Sequence, residues 1–194
     1  MKPIAPRQDN FSELATTPCR GLSLFVRSMR RADTLLPRKL MRAFRHSVEE
    51  HFTGIATAFG SRLERLSPSL YGFFTDHAVV TVGIYHGHLP GMCVKLRERQ
   101  AGDVLAVNND RDIGLGNIVA FSDSAAPQHG HPEGYWTEAS LDAEVRALAD
   151  QLVCYGRPFV TNPKADWKGL RNYIKQQVKK ALEEAPWLRE YQKA

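Results

Sequence analysis

The chain has 194 residues, of which 43% are hydrophobic and 24% charged, and it carries a formal net charge of +5. That length can bury a core without covalent or metal staples. Its three scattered cysteines, Cys19, Cys93 and Cys154, form no Cys-x-x-Cys pair, which argues against a disulfide framework or a zinc ribbon and points to a reducing, cytoplasmic setting. No apolar run reaches the roughly eighteen residues needed for a transmembrane helix, and the first residues lack the apolar stretch of a secretory signal.

The charge is unevenly distributed. Residues 1–100 hold fifteen Lys/Arg against eight Asp/Glu, a net of +7, whereas residues 101–194 hold eleven against thirteen, a net of −2. A basic front half of this kind suits nucleic acid, an anionic surface or an acidic protein partner.

Residues 1–20 contain Pro3, Pro6 and Pro18 without sustained periodicity and read as an irregular arm; residues 21–194 read as a single α+β domain. Leu22, Phe25, Val26 and Met29 recur at helical spacing beside Arg27, Arg30 and Arg31, which predicts a short basic amphipathic helix. After Pro37 comes the longest stripe in the chain: Met41, Phe44, Val48, Phe52, Ile55 and Phe59, followed by Gly60 as C-cap. Its polar face carries Lys39, Arg42, Arg45, His46, Glu49 and Glu50.

Ser61 to Thr75 reads as two short strands joined at Ser67 to Ser69. Ala78 to His86 is β-branched, and Met92 to Arg99 alternates, with Met92, Val94 and Leu96 inward and Lys95, Arg97 and Arg99 towards water. Gly87 to Gly91 between them suits a turn, so a central β-hairpin is predicted. Further strands are expected at Val104 to Val107 and at Asn117 to Phe121, then a long irregular stretch from Ser124 to Thr137. Ser140 is the expected cap of a helix with Asp142 and Glu144 in its first turn, where the helix dipole favours acids, and with Leu141, Val145, Leu148, Leu152 and Tyr155 inward, stopped by Gly156 and Pro158. A last helix is expected from Lys164 to Ala185, with Trp167, Leu170, Ile174, Val178 and Leu182 inward. The sum is an antiparallel β-meander of about five strands with helices packed on one face.

Several candidate chemistries fail on spacing. His46 and His51 are five apart, roughly 140° around a helix, so they do not share an ion. The acidic loop Asn108 to Asp112 lacks the EF-hand glycine and glutamate, since Leu115 and Phe121 stand at those positions counted from Asp110. Cys93 and Cys154 read as core or near-core thiols. The two His-Gly-His segments, His86 with His88 and His129 with His131, remain as a candidate divalent-metal set, because alternate residues of an extended segment face one side. Apart from that metal, no cofactor is expected.

Gly134 to Thr137 before one C-terminal helix and Tyr155 to Phe159 after it, set in an order of helix, β-meander and two helices, resemble an uncharacterised family of small bacterial α+β proteins. The resemblance spans roughly Leu40 to Ile174. Members of such families are often encoded beside polymorphic toxins and are suspected of acting as immunity proteins. The resemblance implies a non-enzymatic protein-binding role against a toxin or another bacterial or phage effector, by occlusion. The basic front half departs from the acidic character of inhibitors of basic nucleases, so a target with an acidic or mixed surface is implied. The expected contact residues are Arg27, Arg30, Arg31, Arg42 and Arg45 together with the histidine-bearing loops. The alternative functions are nucleic-acid association through the same basic ridge and a histidine-metal hydrolase.

Overall fold

A computed structural model of the chain describes residues 37–86, 90–105, 110–126 and 136–185. The arm at 1–20, the basic helix expected at 22–31 and most of both histidine segments lie outside the described residues.

Helix α1, Arg38–Ala58, starts from Pro37 and buries Met41, Phe44, Val48, Phe52 and Ala56 along one side. Its end satisfies the last carbonyls in the way a glycine allows. Gly60 adopts φ +72°, its N–H donates to Thr57 O, and the Ser61 N–H reaches back to Ala56 O at 2.8 Å.

Five strands follow in chain order: β1 Glu64–Ser67, β2 Leu70–Phe74, β3 Ala78–His86, β4 Pro90–Glu98 and β5 Ile113–Gly114. Each pairs antiparallel with the one before it, giving the order β1-β2-β3-β4-β5. The register Phe73↔Val80↔Leu96 and Tyr71↔Val82↔Val94 puts the apolar residues of three strands in rows on one face. Thr75 fixes the β2–β3 turn: its hydroxyl accepts from the Ala78 N–H at 2.9 Å and donates to Val160 O, also at 2.9 Å.

The fifth strand is not the segment expected. Asn117 to Phe121 belongs to helix α2, Leu115–Ser122, and β5 is the two-residue pair before it. Leu115, Ile118 and Val119 are buried at helical spacing, while Phe121 packs edge-on to Phe159 at 6.4 Å and against Tyr173 at 5.6 Å. A short apolar run of this kind fits either period until its neighbours decide. Val104 and Leu105, expected in a strand, are in a loop, and residues 106–109 lie outside the described residues.

Helix α3, Glu138–Gln151, is capped by Thr137 and not by Ser140. The two share a capping box in which Thr137 Oγ1 accepts from the Ser140 N–H and Ser140 Oγ accepts from the Thr137 N–H. Gly156 does not stop the chain either. The helix loosens into one π turn, Leu152–Gly156, and continues as α4, Arg157–Thr161, where Pro158 sits in the first turn and needs no N–H partner. Leu152 and Gly156 face inward, with a Cβ on Gly156 only 2.6 Å from Leu152 Cδ1; Val153 and Cys154 between them turn outward, while Tyr155 stays half-buried against the core. Cys154 is therefore exposed instead of near the core; Cys93 is half-buried.

Helix α5 is Trp167–Glu184, capped by Asp166, whose carboxylate accepts from the Gly169 N–H. It starts three residues later than the periodicity suggests, because the capping carboxylate and not the apolar stripe sets the first turn. Trp167 and Leu170 are buried, with Trp167 edge-on to Phe159 at 5.0 Å. One continuous core joins α1, α2, α3, the π turn, α4 and α5 to the row of Phe73, Val80, Val82, Ile84, Val94 and Leu96. The fold is thus α+β with its helices on one face of the meander.

The other face departs from the alternation pattern. Arg97, expected towards water, is only 1% exposed. The loop after β4 crosses behind the sheet, bringing Leu105 against Gly72, where a Cβ would lie 3.1 Å from Leu105 Cδ2. Arg97 Nη1 donates to Asp112 at 2.8 Å and Nη2 to Val104 O at 2.6 Å, while Nε lies 4.0 Å from Asp103. Asp103 also takes a hydrogen bond from Arg111 and one from the Gln100 N–H. Burial opposes ionisation of Asp103, but the Gln100 N–H, Arg111 and Arg97 together hold its carboxyl below the usual range.

Candidate functional site

Two groups of polar side chains meet on α1. The first lies in the seam between α1 and α3. Ser47 and His51 are one helical turn apart and so lie on the same face. Ser47 Oγ donates to Asp142 Oδ1 at 2.6 Å, and His51 Nε2 stands 3.0 Å from the same oxygen. Arg146 approaches the other carboxylate oxygen at 3.5 Å. The Ser47 hydrogen bond does most to hold Asp142 below the ordinary carboxylate range; burial opposes it, and His51 and Arg146 add to it. Glu50 completes the group: one ligand atom from each of Glu50, His51 and Asp142 falls within 4.8 Å of the other two.

The arrangement is not a serine–histidine relay. The Ser47 proton is directed at Asp142, the oxygen that His51 also addresses, so imidazole is not placed to take it. The group ties two helices together and offers an imidazole and two carboxylates at one rim.

The second group is a ridge on the outer side of α1 that continues onto β1. Arg38 and Arg42 are exposed, and Arg45 is half-buried with Nε donating to Pro68 O at 3.4 Å. Arg65 of β1 is exposed and, like Arg45, acts electrostatically on the Tyr71 phenol. Tyr71 donates to Glu49 Oε1 at 2.9 Å. Burial, then the Glu49 hydrogen bond and charge, push the phenol up to about 12 against the opposing pull of Arg65 and Arg45. Lys39 pairs with Glu138 of α3, which raises the pKa of its ammonium. His46 lies 3.5 Å from Glu50, so the two α1 histidines address different carboxylates, as their five-residue spacing requires.

Of the residues singled out from the sequence, Arg42 and Arg45 fall on this ridge, and the structure adds Arg65 to them. Arg27, Arg30 and Arg31 lie outside the described residues. So do His88, His129 and His131; His86 is the last residue of β3, and its side chain is likewise not described. The seam was not foreseen: Asp142 read as a first-turn acid suited to the helix dipole. The one local signal was Ser47 and His51 at i, i+4, and their common partner lies 91 residues beyond His51.

The chain matches no protein-family model, no curated protein and no solved structure. Among the described residues, no helix is long and apolar enough to cross a membrane.

Proposed function

We propose that this chain is a non-enzymatic protein-binding module that acts by occlusion, with the α1–β1 ridge as its contact surface. The observation that carries the reading is the mixed sign of that ridge. Glu49 and Glu64 are exposed among Arg38, Arg42, Arg45 and Arg65. A phosphate backbone would be repelled by the carboxylates, whereas a protein surface can present both signs in register, which favours specificity and fast association. Two of the side chains are also held in place before any partner arrives, Arg45 by Pro68 and Glu49 by Tyr71, which lowers the ordering cost of binding. The partner implied is a protein of acidic or mixed surface, such as a toxin or another bacterial or phage effector.

The test is a quantitative pull-down from host lysate with nuclease treatment, using wild type and the charge-reversed Arg42→Glu/Arg65→Glu chain. A near-stoichiometric protein that survives nuclease and is lost on charge reversal supports the reading. Capture of nucleic acid alone, released by salt, would transfer the ridge to nucleic-acid association.

A further inference from the structure

We infer that Glu50, His51 and Asp142 form a zinc-binding site at the rim of the α1–α3 seam. The inference is independent of the protein-binding reading and of the His-Gly-His segments.

Three observations carry it. The ligand atoms converge from two elements: all three lie within 4.8 Å of one another, with His51 Nε2 and Asp142 Oδ1 already 3.0 Å apart. Tetrahedral zinc with bonds of about 2.1 Å holds its ligands roughly 3.4 Å apart, so the His51–Asp142 pair opens slightly and Glu50 closes. Glu50 can do so because it is exposed and held only at 3.5 Å by His46, itself exposed.

The donor chemistry selects the metal. One imidazole nitrogen with two carboxylates suits zinc, whereas magnesium prefers an all-oxygen shell. Two carboxylates match a dication in charge, and three protein ligands leave a fourth position for water.

The surroundings hold the ligands in place. Ser47 is buried and its hydroxyl fixes the Asp142 carboxylate at 2.6 Å, the kind of outer contact that orients a metal-binding carboxylate. His51 is 14% exposed and anchored on a core helix, so its ring is presented with little freedom to lose. Among the described residues, Arg146 is the one Arg or Lys paired with Asp142; it is 61% exposed, contacts the oxygen that Ser47 and His51 leave free, and can swing outward as the ion enters.

The experiment uses the full chain with its purification tag removed, stripped with chelator, then titrated calorimetrically with zinc and, in parallel, with magnesium. The expected result is one zinc per chain, a raised melting temperature at about 0.1 mM zinc through preferential binding to the folded state, and no comparable effect of magnesium. Glu50→Ala replaces an exposed side chain, so the metal-free melting temperature should be unchanged while zinc affinity falls by at least about 10-fold, the effect of losing even an outer-shell partner. His51→Ala should abolish binding. A quadruple chain with His86→Ala, His88→Ala, His129→Ala and His131→Ala should keep it. The inference is overturned by an unchanged melting temperature in zinc, by full affinity in Glu50→Ala, or by binding that survives His51→Ala and disappears in the quadruple chain.

Discussion

The molecule holds two charged clusters that look alike in composition and differ in what they can do. Behind the sheet, Arg97, Asp112 and Asp103 have side chains 1%, 5% and 8% exposed, and the loop after β4 is anchored on them. In the α1–α3 seam, His51, Asp142 and Arg146 are 14%, 38% and 61% exposed. The first cluster is locked, since any group it released would be left charged inside protein. The second can exchange partners with water, an ion or another protein at little cost. Burial thus separates a structural ion-pair network from a candidate site more clearly than residue type does.

The largest expected effect breaks the buried cluster. Arg97→Ala removes the guanidinium from a buried ion-pair network, and destabilisation of about 3–5 kcal/mol is expected from removing one member of a buried pair. A denaturant midpoint within error of wild type would mean that the loop rearranges and the network is not fixed. Acid probes both clusters next. Asp103 and Asp142 are held below their ordinary range when folded, so their contribution is complete above the unfolded value of about 3.9 and is lost as pH falls through the folded values. Stability should therefore fall as pH drops below about 4, the ordinary carboxylate value. Asp142→Asn should shrink that fall, and an identical acid limb in the variant would show that the seam contributes nothing to it.

Smaller effects distinguish the exposed cluster. Ser47→Ala removes one hydrogen bond to a carboxylate that keeps His51 and Arg146, so a loss of about 1–2 kcal/mol is expected in thermal or urea unfolding. A cost equal to that of Arg97→Ala would erase the contrast between the two clusters. Smallest of all, Arg42→Ala on the ridge should change stability by less than about 0.5 kcal/mol while weakening partner capture. Unchanged capture would remove Arg42 from the contact surface.

Much of the fold was legible because the relevant periods are long. Met41 to Phe52 repeats over several turns and Gly60 ends the pattern, so α1 could be read from sequence; so could the β3–β4 hairpin, where nine residues on each side keep register. Asn117 to Phe121 was misread because so short an apolar run carries no period of its own, and contacts with Phe159 and Tyr173 set it as helix. Arg97 was misread for a different reason. Alternation reports which residues share a face, but it does not report that a loop will cover that face. The seam was invisible because Ser47 and Asp142 are 95 residues apart and nothing local links them.

The order of the elements also bears on how the chain is made. Each strand of the meander pairs with the one synthesised just before it, so the sheet needs only short closures. Of the described elements helix α1 emerges first, yet its main helical neighbour, α3, does not begin until Glu138. A ribosome-bound chain ending before that residue carries α1 without its main helical neighbour, and this interval is when α1 is most exposed to wrong partners and to holding factors. Proteolysis of stalled chains should find α1 cleavable until α3 has emerged and protected afterwards.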